Sequence, residues 1–102
     1  MLEHQKQQGV MTVKLTGELD HNSASRIREE LDRLISDPGV RRLVFDMNEL
    51  GFMDSSGIGV ILGRYKTMIR RGGTVAVKAG NRQIDRIFEL SGLYQIIEKL
   101  AQ

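Results

Sequence analysis

Residues 50–66 read LGFMDSSGIGVILGRYK, and this stretch decides the fold. Ile58, Ile61, Leu62, Tyr65 and Ile69 recur at helical spacing, which predicts a helix over residues 56–71 ended by Gly72-Gly73. Just upstream, Leu43-Val44-Phe45 is a compact apolar run between charged flanks, the pattern of a buried strand over residues 42–47. The chain therefore passes from strand through turn to helix, with Asp54, Ser55 and Ser56 at the helix entrance. Unpaired backbone amides and the positive end of the helix dipole lie at such an entrance, so an anion there does no harm to the fold. On spacing alone, any of the three residues serves equally well as a simple N-cap.

The elements on either side repeat this alternation. Val10, Met11, Val13 and Leu15 give a half-buried strand, and Gly17 breaks it. Asn22 or Ser23 can cap a following helix whose inner stripe is Ile27, Leu31, Leu34 and Ile35, stopped by Asp37-Pro38-Gly39. Thr74–Lys78 is the next strand, and Asn81 opens a third helix with Ile84, Ile87 and Phe88 inward, closed by Gly92. Residues 94–100 suit either a short strand or a helical turn. Strands separated by helices need crossover connections, which predicts a single α/β domain with a mostly parallel or mixed sheet covered by helices.

At 102 residues the chain has room for one domain. It has no cysteine, which excludes disulfide and thiolate chemistry, and His4 and His21 are too few for a protein-only zinc site. No metal or cofactor is expected. A net charge of +2 is a weak argument for nucleic acid, because the basic pairs Arg41-Arg42 and Arg70-Arg71 read as loop and helix-end cations. Residues 1–8 are polar, fit no secretory signal and are expected to fray; with no membrane-length apolar run, a cytoplasmic protein is expected. No heptad pattern is present, and a monomer is expected.

Glycines mark the second helix. Gly57, Gly59 and Gly63 within it cost about 2–3 kcal/mol relative to alanines. Either a partner surface or tight packing inside the domain explains that cost, and Gly59 and Gly63 share one face as a flat contact strip. The run Met53-Asp54-Ser55-Ser56-Gly57, continuing to Gly63-Arg64-Tyr65-Lys66, resembles the signature of the STAS family of anti-sigma factor antagonists, in particular its stage II sporulation AA-type members. Leu15-Thr16-Gly17-Glu18-Leu19-Asp20-His21 is similar to that family's first-strand motif, and Leu90-Ser91-Gly92-Leu93 to the motif closing its last core helix.

The resemblance implies a non-enzymatic switch. Its unphosphorylated form binds an anti-sigma factor that is also a serine kinase, and so frees a sigma factor. Phosphorylation of Ser55 turns it off, and a metal-dependent serine phosphatase restores it. Ser56 is then the neighbouring non-acceptor and cap, and Asp20 lies at the partner-binding end, with a plain turn carboxylate as its equal alternative. The expected contact set is Asp20, Asp54, Ser55, Ser56, Gly57, Gly59 and Gly63. A hydrolase using Ser55 with His21 and Asp54 or Asp20 fits poorly, because Met53 stands where the nucleophile elbow has glycine. A nucleotide-binding loop lacks its lysine and spacing. A passive module of a stress-sensing assembly is the remaining alternative.

Overall fold

Alternation along Val10–Leu15 (β2) turns Met11, Val13 and Leu15 into the core and leaves Val10, Thr12 and Lys14 on the outer face of a sheet. The computed structural model describes residues 1–101. Its main sheet has five strands in the order β1-β2-β4-β6-β7, where β1 is Leu2–Gln7, β4 Arg42–Asp46, β6 Thr74–Lys78 and β7 Glu98–Lys99. The β1–β2 pair is antiparallel and the remaining pairs are parallel. Two short strands, β3 (Gly17–Leu19) and β5 (Leu50–Met53), form a separate parallel ribbon.

The N-terminus does not fray. Residues Leu2 to Gln7 pair with β2 along their whole length, through a tight turn in which Gln8 (φ 52°) and Gly9 (φ 81°) both take positive φ. That turn geometry matches the twist of a hairpin. The strand escapes sequence reading because it is an edge, polar beyond Leu2 and mostly exposed.

Three helices cover the inner face: α1 (Ala24–Ile35), α2 (Ser55–Arg70) and α3 (Arg82–Leu90). Helix α1 buries Ile27, Leu31 and Ile35, and α3 buries Ile84 and Phe88, as the periodicity predicts. Asn81 caps α3 by accepting from the Gln83 amide at 2.9 Å, and its own amide donates to the Leu50 carbonyl at 3.0 Å. Residues after Gly92 form both expected alternatives in succession, a 3-10 turn at Leu93–Gln95 and then β7. Tyr94 stacks on Phe88 with centroids 5.5 Å apart, and its hydroxyl donates to Asp85, which also pairs with Lys99 at 3.0 Å. At the far end Arg71 donates to the carbonyls of Ile35, Asp37 and Val40, tying the ends of α1 and α2 together.

Helix α2 is rotated relative to the expected phase. Its buried stripe is Gly57, Val60, Ile61, Arg64 and Met68, while Ile58, Leu62 and Tyr65 flank it and Ile69 is 47% exposed. The apolar count alone centres the face one residue too far along, since a glycine and an arginine occupy the true stripe.

Arg64 is only 8% exposed. Its Nε lies 3.0 Å from Asp32 Oδ1 of α1, yet Nε and Nη1 have no well-aligned acceptor among the described residues. Burial lowers its pKa, and the Asp32 carboxylate opposes that shift. Because Asp32 is half exposed, removing the arginine leaves no stranded buried charge. Arg64→Met is therefore expected to stabilise the domain by about 1 kcal/mol in urea denaturation. A loss of stability of that size or more would show that the ion pair holds α1 and α2 together.

Candidate functional site

The β3–β5 ribbon brings two distant segments to one place. Glu18 pairs with Phe52 and Leu19 with Met53, after a register shift at Gly17 (φ 82°). Beyond this pairing β3 runs out into Asp20 and β5 into Asp54, so the two expected partner-binding segments emerge side by side. The Asp54 amide still donates to the Leu19 carbonyl at 3.4 Å.

Asp54 is the cap of α2, correcting the expectation for Ser56. Its backbone is extended (φ −118°, ψ −167°), and its carboxylate accepts from the Ser56 amide at 2.8 Å. Its carbonyl accepts from Gly57 at 3.0 Å and Ile58 at 3.2 Å, starting the helical ladder. A carboxylate fills this role well, since it also meets the positive helix end. Ser55 becomes the first helical residue and is exposed; Ser56 follows and is half-buried. The structure thus distinguishes two serines that sequence spacing could not.

Asp20 has a clear structural task. Its carboxylate accepts from the amides of Asn22 and Ser23, each at 3.0 Å, and the Ser23 hydroxyl reaches back to the Glu18 carbonyl at 2.8 Å. These bonds, the Ser23 amide foremost, hold the Asp20 carboxyl below its usual pKa. Ser23 is the residue before α1 but makes no side-chain cap bond; Asp20 organises that entrance instead. The residue remains half-exposed at the rim of the site.

The three glycines separate into two kinds. Gly57 is buried, and a Cβ there would lie 2.5 Å from Met53 Cγ and 2.7 Å from the Leu19 carbonyl oxygen. Its place in the expected contact set is corrected: it packs α2 onto the ribbon and presents nothing to a partner. Gly59 and Gly63 have no atom within 4 Å of such a Cβ, and Gly59 is exposed. With Ser55 they lie at four-residue spacing along one helix face. Among the described residues no group of three or more acidic or histidine side chains could hold a metal ion. A broad concavity lies on the polar outer face of the sheet, lined by Gln5, Gln7, Gln8, Val10, Thr12 and Lys78, away from Ser55.

With this geometry in view, the chain matches the family model of the STAS domain over residues 1–102. It is 41% identical over 96 residues to the anti-sigma F factor antagonist of Paenibacillus polymyxa, covering 94% of this chain and 82% of that protein. Its fold superposes on the Bacillus cell fate determinant SpoIIAA in the phosphorylated form with a TM-score of 0.77 at 25% identity, covering all of this chain and 93% of that one. An anti-sigma factor antagonist from Mycobacterium paratuberculosis has the same fold, with a TM-score of 0.87 at 22% identity over all of this chain and 86% of that one. A mixed α/β domain of this topology is the class that these relatives share. The chain belongs to the STAS domain family.

The glycine assignment has a direct test. Gly57→Ala is expected to cost about 1–3 kcal/mol through overpacking, whereas Gly59→Ala and Gly63→Ala should each gain about 0.5–1 kcal/mol from helix propensity. Urea melts of the three variants check the contrast, and equal behaviour would contradict it.

Proposed function

We propose that this chain is an anti-sigma factor antagonist switched by phosphorylation of Ser55. The observation that carries the reading is the exposed Ser55 hydroxyl at the first position of α2, with Asp54 already serving as the cap. The helix needs nothing from that hydroxyl. The Paenibacillus polymyxa relative bears the antagonist name, and the SpoIIAA structure is of a phosphorylated form, which supports the same role and chemistry here.

In this reading the unphosphorylated chain docks an anti-sigma factor through Asp20, Asp54, Ser55, Ser56 and the open strip at Gly59 and Gly63. That partner is a serine kinase, and a metal-dependent serine phosphatase reverses the modification. The setting is cytoplasmic and of the sporulation type; among the described residues no helix is long and apolar enough to cross a membrane. The chain acts by binding, as a monomer, and catalyses nothing.

A phosphate adds a charge of about −1.5 to −2. The α2 dipole partly offsets that charge within the domain. A partner packed flush on Ser55 has no such offset and must accommodate a hydrated dianion beside Asp54. A loss of about 3–4 kcal/mol at that contact weakens binding several-hundredfold. The fold survives while the complex fails.

Calorimetry with the cognate anti-sigma factor tests this. The unphosphorylated chain and Ser55→Ala should bind alike, and phospho-Ser55 should bind at least 100-fold more weakly. Equal affinity of the two forms, or phosphate mapped to Ser56 or Thr67 by mass spectrometry, would refute the switch.

A further inference from the structure

Of the five aromatic residues, three Phe and two Tyr, Phe45 and Phe88 are fully buried and Tyr65 and Tyr94 are half-buried. Phe52 is different: it is 40% exposed. It stands in β5 opposite Glu18 of β3, on the outward pair of the ribbon, while the next pair, Leu19 and Met53, turns into the core. One residue beyond that inward pair the two strands release Asp20 and Asp54. Phe52 is therefore on the outward side of the ribbon, two residues before Asp54 and three before Ser55.

The surroundings of the ring have a definite chemistry. Three carboxylates, Glu18, Asp20 and Asp54, lie at this end of the ribbon, and Arg26 and Met1, whose ammonium donates to the Thr16 carbonyl at 2.8 Å, line the same hollow as Glu18 and Asp20. An exposed aromatic ring among charged groups is the complement of an apolar pocket in a partner. Aromatic anchors that fill such pockets carry a large share of binding energy at protein interfaces, with charged groups around them setting orientation. Of the other largely exposed apolar side chains, Leu90 ends α3, Ile96 follows the 3-10 turn and Ile69 is about 21 Å along α2 from Ser55 at 1.5 Å per residue, while Met1 lines a hollow with Glu18 and Asp20.

We infer that Phe52 is the apolar anchor of the anti-sigma factor contact, seated in an apolar pocket of that partner. The inference rests on the partner proposed above but not on the Ser55 switch. It assigns the ribbon two functions: its inward pair builds the domain, and its outward pair recognises the partner. Ser55 then lies at the edge of the anchored area, where added charge disrupts a contact that is centred elsewhere.

The test uses unphosphorylated full chain and the cognate anti-sigma factor. Phe52→Ala should bind about 30-fold or more weakly, Phe52→Tyr should retain most affinity, and Leu90→Ala should stay within twofold of the parent. Phe52→Ala within twofold of the parent, or an equal loss in Leu90→Ala, overturns the inference. Should Phe52→Ala fail to fold, ring resonances of the unmodified chain decide: on complex formation those of Phe52 should shift and those of Phe45 and Phe88 should not, and an unmoved Phe52 overturns it. Normal binding that is insensitive to phosphorylation would remove the switch and leave the anchor standing. No complex at all would remove the partner and the anchor together.

Discussion

The contact between Gly57 and the Leu19 carbonyl is the constraint from which the site follows. A methyl group at residue 57 would lie 2.7 Å from that oxygen and 2.5 Å from Met53, so only glycine lets the first turn of α2 settle on the ribbon. That settling brings the end of β3 against the start of α2. Asp20 and Ser55, 35 positions apart in the sequence, become parts of one surface through it. Move α2 outward by the width of a methyl group, and the Asp54 amide loses the Leu19 carbonyl while the helix entrance tilts away from the Asp20 loop.

The electrostatics of the entrance divide labour between neighbours. Asp54 spends its carboxylate on the Ser56 amide, and Asp20 spends its own on Asn22 and Ser23. Both acids are thus fixed in position by local bonds while remaining at the surface. Of the two serines at the entrance, Ser55 is the exposed one, and its side chain makes no hydrogen bond among the described residues, which is the property a modifiable residue needs. The glycines behind it show the same division: one is required by packing, and the other two lower helix stability with no internal contact in return. A cost without an internal cause is the expected mark of a surface kept flat for another molecule.

Much of the architecture was legible because burial writes a strong pattern. Leu43-Val44-Phe45, the Ile27-Leu31-Ile35 stripe and Ile84 with Phe88 all fall where alternation and helical spacing put them. What escaped did so for physical reasons. The first strand is an edge with no apolar face to announce it, and the ribbon strands are three and four residues long, too short for periodicity to register. Helix α2 was misphased by one residue because its core stripe contains Gly57 and Arg64, which no hydrophobic count would select. At the site, the identities of Asp54, Ser55 and Ser56 were visible but their roles were not. The extended backbone of Asp54 and its bond from the Ser56 amide assign the cap, and the space around each α-carbon separates Gly57 from Gly59 and Gly63.

The central claim is that charge added at the mouth of α2 spares the domain and abolishes its complex. Amide hydrogen exchange on the Ser55-modified and unmodified chains, each alone and with the anti-sigma factor, reads both halves together. The account predicts matching protection for the two free forms across β2, β4 and β6, and new protection over residues 18–20 and 52–59 on adding partner to the unmodified form only. Loss of core protection in the modified free chain, or the same new protection in both forms, would contradict it.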